Sequence, residues 1–99
     1  MKRLDFELLK RFASTYIWWQ TPEESLLYPE RIIAQVMDIG DWDDVVVLMK
    51  SLGDDYLTKI LTHAEAGQFR PISWHFWHYK LGLVTPEVMM PGMPTRKTS

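Results

Sequence analysis

Cysteine is missing altogether from the 99 residues, which excludes disulfides and thiolate metal sites and fits a reducing compartment. Long apolar runs are missing too. No stretch approaches the ~20 residues of a membrane span, and the opening MKRLDFELLKRF carries Asp5, Glu7, Lys10 and Arg11 where a secretory leader needs unbroken apolar chain. The expectation is a cytoplasmic protein with no membrane association. Glycine is scarce, at five residues, with no Gly-rich phosphate cradle among them. No serine or threonine sits in a Gly-flanked nucleophile elbow. These gaps point away from an enzyme and from a bound cofactor.

Aromatics are plentiful by contrast, with five Trp, four Phe and four Tyr. A chain this short buries only about 60–65% of its unfolded surface, and large rings compensate while leaving some to spare for a partner. Net charge is small at −2 but uneven: residues 1–22 carry +2, residues 23–55 carry −7 and residues 56–99 carry +3. An acidic middle turns that region away from phosphates and suits a basic protein surface, or simply a solvated one.

The clearest structural signal is PERIIAQVMDIGDWDDVVVLMKSLG, from Pro29 to Gly53. Pro29 opens a helix, Gly40 suits a left-handed stop, and Asp41 is placed to cap a second helix ending at Gly53. Ile32, Ile33, Val36 and Met37 recur at helical spacing, as do Trp42, Val45, Val46, Met49 and Leu52. So short a turn makes these a helix hairpin. Around it the spacing predicts a helix from Phe6 to about Ala13 capped by Asp5, and a short helix after Thr21-Pro22. Tyr16 to Trp19 reads as helix or irregular buried chain. Asp54 is placed to cap a further helix, with Tyr56, Leu57, Ile60, Leu61 and Ala64 at helical spacing, which Gly67 stops. Ser73 caps a last one from Trp74 to about Leu83, with Trp74, Trp77 and Leu81 on one side and Phe76, Tyr79 and Leu83 on another. The fold expected is all-α, a compact single-domain array of five or six short helices over residues 1–84. Residues 85–99 form a Pro- and Met-rich tail that either lies in a groove or stays disordered.

Three candidate chemistries compete with bland explanations. His63, His75 and His78 suggest zinc, yet a helical zinc pair is usually four apart with a carboxylate nearby, whereas His75 and His78 are ringed by Trp, Phe and Tyr. Asp41, Asp43, Asp44, Asp54 and Asp55 lack the alternating ligands and central glycine of a calcium loop, and helix starts favour acids anyway. A DNA-reading helix needs Arg, Lys, Asn or Gln toward the bases, while residues 42–52 offer only Lys50 against Asp43 and Asp44. A DNA-binding regulator therefore rests on the basic ends, Lys2, Arg3, Lys10, Arg11, Arg96 and Lys97. An enzyme or metal protein comes third.

Taken in order, YIWWQTPEESL, PERIIAQVMDIGDW, SWHFWHYKLGL and MPGMPTR resemble a family of small bacterial proteins whose genes often lie beside a nucleotidyltransferase-like toxin of the AbiEii type. The likeness runs from about Phe12 to Arg96. It implies an antitoxin-like role as partner of such a toxin, and carries no active-site residues with it. An acidic helical protein is suited to occlude the basic cleft that a nucleotidyltransferase needs for triphosphate. The surface expected to do so is Asp41, Trp42, Asp43 and Asp44 with the outer side of the last helix, at Trp77 or Tyr79. Helical spacing by itself places Trp42, Trp74 and Trp77 inward, as core.

Overall fold

The computed structural model describes residues 5–95. Its six helices are α1 Phe6–Tyr16, α2 Pro22–Ser25, α3 Pro29–Ile39, α4 Trp42–Leu52, α5 Asp54–Thr62 and α6 Pro71–Lys80. The only β feature among the described residues is an isolated bridge between Thr85 and Val88. The fold is all-α, as the spacing of apolar residues predicts.

α3 is the hub, packed against each of the other five helices. Its Ile32, Ile33, Ala34, Val36 and Met37 are all buried, a broad apolar stripe with Arg31, Gln35 and Asp38 on the remaining side. Phe12 from α1, Leu48 from α4, Leu57 and Leu61 from α5 and Trp77 from α6 close around it. Burial of such side chains contributes about 1.5–3 kcal/mol each relative to exposure.

Local chemistry explains most boundaries. Asp5 Oδ1 accepts the amides of Glu7 and Leu8 at 3.1 and 3.2 Å, satisfying two open donors of α1. That helix runs past the expected end at Ala13, because Ser14 and Thr15 fold their hydroxyls onto the carbonyls of Lys10 and Arg11 at 3.0 and 3.1 Å. Beyond it Ile17 is buried, but Trp18 and Trp19 stand in solvent, edge to face at 5.6 Å. The expected buried run thus ends at Ile17. Thr21 Oγ1 caps α2 at the amide of Glu24, 3.2 Å away.

The two glycine stops differ. Gly53 has φ 81 and ψ 164, a region that excludes side chains, and serves at once as the end of α4 and the start of α5. Asp54 is therefore the first residue of α5 rather than its cap. Gly40 has φ −65 and ψ 148, extended rather than left-handed. Its need for glycine is spatial, since a Cβ there would collide with the Val36 carbonyl oxygen and stand 2.9 Å from Val36 Cγ1. Asp41 holds the N-cap position of α4 but its carboxylate accepts no capping bond. The chain stops α5 at Thr62, and Gly67 (φ 84) serves a separate turn further on.

α6 begins at Pro71, ahead of the start expected from Ser73. Proline at the first helical position loses no hydrogen bond, and Ser73 is otherwise engaged. The carbonyls at the C-terminal end of α3 have no partners within the helix, and α6 supplies them. Trp77 Nε1 donates to Met37 O at 2.7 Å, while Ser73 Oγ and Arg70 Nη2 donate to Asp38 O at 2.9 and 2.6 Å. Arg70 also donates from its amide and Nε to Asp38 Oδ1, at 3.0 and 3.2 Å. After α6 the chain crosses Trp74, whose indole N–H donates to Pro91 O at 2.9 Å, and Met90 and Met93 pack against the core.

Candidate protein-interaction surface

The turn between α3 and α4 is held by a side chain from α1. The Tyr16 hydroxyl accepts the Asp41 amide at 3.0 Å and donates to Asp44 Oδ2 at 2.5 Å. It ties down the turn on the Asp41 amide, while the α4 amides that the Asp41 carboxylate is expected to cap receive no side-chain bond. Burial, then the hydrogen bond to the Asp44 carboxylate, pushes the Tyr16 pKa above the usual tyrosine value. The consequence is a fixed start for α4, with Asp44 turned inward and Asp41 and Asp43 left outside.

On that start stands Trp42, which is 59% exposed although its spacing fits the apolar stripe of α4. The stripe that is buried consists of Val45, Leu48 and Leu52. Trp42 instead meets Phe76 of α6 edge to face, with centroids 6.4 Å apart, and Phe76 lies edge-on to the buried Trp77 at 5.2 Å. Between the two helices is an open cavity of about 260 Å³, walled by Met37, Trp42, Val45, Ile72, Phe76 and Trp77. Ile72 and Tyr79 continue the exposed apolar side of α6.

Of the six residues expected to form a contact surface, Asp41, Trp42, Asp43 and Tyr79 lie exposed. Asp44 is half-buried and bonded to Tyr16. Trp77 does not reach the surface at all, because its indole N–H is needed by Met37 O; it supports Phe76 from beneath. Ile72 went unnoticed in the sequence because a last helix capped by Ser73 leaves it outside, and the Pro-first rule applied to Pro71 recovers it.

The histidines do not converge. Nδ1 of His63, His75 and His78 each faces a carbonyl of its own helix, Lys59, Pro71 and Trp74 respectively, at 2.7–2.8 Å. No three His, Cys, Asp or Glu among the described residues are grouped to hold a metal ion. Of the basic ends, Lys2, Arg3, Arg96 and Lys97 lie outside the described residues. Lys10 is 3.9 Å from Glu23, and Arg11 lies over the Phe12 ring. No described helix is long and apolar enough to cross a membrane.

No protein-family model, curated protein or solved structure matches this chain.

Proposed function

We propose that this protein is a non-enzymatic interaction module that acts in the cytoplasm by docking another protein on the α4–α6 face. Following the family resemblance, the partner is a nucleotidyltransferase-type toxin encoded beside it, and docking neutralises that toxin. The observation that carries the reading is Trp42 standing in water on an exposed Phe76, with Asp41 and Asp43 at the rim. An aromatic anchor beside an open pocket, bordered by charge, is the usual composition of a binding hot spot. Carboxylates at the border complement the basic cleft that such an enzyme uses for phosphates and speed the encounter.

Co-expression with the neighbouring nucleotidyltransferase and purification through a tag on that partner tests this. The native chain co-purifies, Trp42→Ser with Ile72→Ser does not, and Asp43→Lys weakens retention most at low salt. Asp43 is the better reversal than Asp44, whose loss would also break the bond to Tyr16. Undiminished co-purification of the Trp42→Ser, Ile72→Ser variant overturns the face. A salt-sensitive gel shift on its own promoter, with no co-purification, transfers the reading to a DNA-binding regulator.

A further inference from the structure

Trp74, on the buried side of α6, is crossed by the segment 84–95, and that cover is lightly held. The chain leaves the helix through Gly82, at φ 72, with the Leu83 amide donating to His78 O at 2.9 Å. Beyond that point its own backbone bonds are confined to the turn between Thr85 and Val88, and Pro86, Pro91 and Pro94 have no amide hydrogen to offer. One hydrogen bond ties the segment to the rest of the described residues, from Trp74 Nε1 to Pro91 O at 2.9 Å. On either side of that carbonyl, Met90 and Met93 are half-buried and pack against the core. The apolar anchors beyond Leu83 are therefore two thioethers.

In a chain without cysteine, methionine is the only sulfur that an oxidant meets. Met1 lies outside the described residues, Met37 is buried, Met49 is half-buried on α4, and Met89 is exposed and takes no part in the core. With hydrogen peroxide, the sulfur lone pair attacks one peroxide oxygen, so that an S–O bond forms as the O–O bond breaks. The sulfur is oxidised by two electrons, and the proton on the captured oxygen passes to the departing hydroxide, which leaves as water. The product is a sulfoxide, a polar acceptor on what was an apolar side chain. A half-buried sulfoxide at Met90 or Met93 finds its hydrogen bonds in water rather than against the core. Both anchors then draw the segment off instead of holding it down. Met89 takes up the same oxygen without structural consequence.

We propose that Met90 and Met93 form a reversible oxidation site for hydroperoxides, and that sulfoxide formation there unlatches the segment 84–95 from Trp74. The site is independent of the α4–α6 face. Titration of the isotope-labelled full chain with hydrogen peroxide tests it, read by peptide mass and by the indole N–H resonances of the five tryptophans. As Met90 and Met93 gain oxygen, the Trp74 indole signal, assigned through Trp74→Phe, shifts and exchanges with solvent roughly tenfold faster or more. The Trp77 signal, whose N–H is held by Met37 O, stays in place. The two stereospecific methionine sulfoxide reductases return the Trp74 signal to its starting position. Met90→Leu with Met93→Leu, a volume-conserving pair that keeps the anchors apolar and takes up no oxygen, abolishes the response, whereas Met89→Leu leaves it whole. A Trp74 signal unmoved after both residues are converted overturns the proposal, as does a shift that persists in the double leucine variant. It is overturned equally if Met90 and Met93 stay unmodified once Met89 is fully converted, or if all five indole signals collapse together, which marks unfolding through the core.

Discussion

Trp74 and Trp77, on one side of α6, are 5% and 1% exposed, whereas Ile72, Phe76 and Tyr79 on the other keep 73%, 42% and 63% of their surface in water. Hydrophobicity does not separate the two sides. Both are apolar, and α6 lacks the single greasy stripe that orients α1 and α3. What separates them is the polar edge of the indole: each buried ring donates its N–H to a carbonyl, Pro91 O for Trp74 and Met37 O for Trp77. A helix apolar all round is thus oriented by where its few donors find acceptors. The side that carries no indole donor stays in water.

The largest break in this comparison is Trp77→Ala. Loss of a filled core position costs about 3–5 kcal/mol, and the Met37 carbonyl loses its donor as well. Urea titration should show a midpoint far below that of the native chain, since small domains hold only about 5–15 kcal/mol. Next comes Tyr16→Phe, which leaves a carboxylate and an amide of the α3–α4 turn without their partner and costs about 1.5–3 kcal/mol. This variant also carries a pH signature. Because the folded-state pKa of Tyr16 is raised, its contribution is whole below the unfolded value near pH 10 and is lost as pH climbs through the raised one. The gap in urea midpoint between native chain and Tyr16→Phe should therefore hold up to about pH 10 and shrink above it. A gap that widens there would mean that burial and Asp44 do not hold the hydroxyl neutral.

Ser73→Ala sharpens the contrast within the buried side. Asp38 O keeps Arg70 Nη2 as a donor, so the loss should be about 0.5–1 kcal/mol by the same titration. Smallest is Ile72→Ser on the outer side, expected within about 0.5 kcal/mol of the native chain. A drop comparable to that of Trp77→Ala would show that the outer side is core after all.

The parts of this fold legible in the sequence are those where side chain and backbone agree locally. Asp5 and Thr21 cap as their positions suggest, Pro29 opens α3, and Gly53 ends α4. Errors came where a residue has two uses. Ser73 looks like a cap but is spent on Asp38, and Ser14 and Thr15 lie past the expected end of α1 but bond back to their own turn. Asp41 sits at the cap position with its amide, not its carboxylate, engaged by the Tyr16 hydroxyl. Gly40 is required by the nearness of Val36, which no local pattern announces. In the candidate site, spacing puts Trp42 and Trp77 inward alike, which fails for Trp42, left in water on Phe76, and holds for Trp77. Its place is decided by a carbonyl that lies 40 positions away in sequence.

That distance has a consequence during synthesis. A nascent chain that has released α3 and α4 but not yet Arg70, Ser73 and Trp77 carries bare carbonyls at Met37 and Asp38, and the nearest covalent route to their donors spans 32 to 40 residues. Loops of that span close late, after local turns have formed. Until the ribosome lets α6 go, the C-terminal end of α3 stays open to water although Tyr16 already holds the turn beyond it, and a product terminated just short of Arg70 would keep it so.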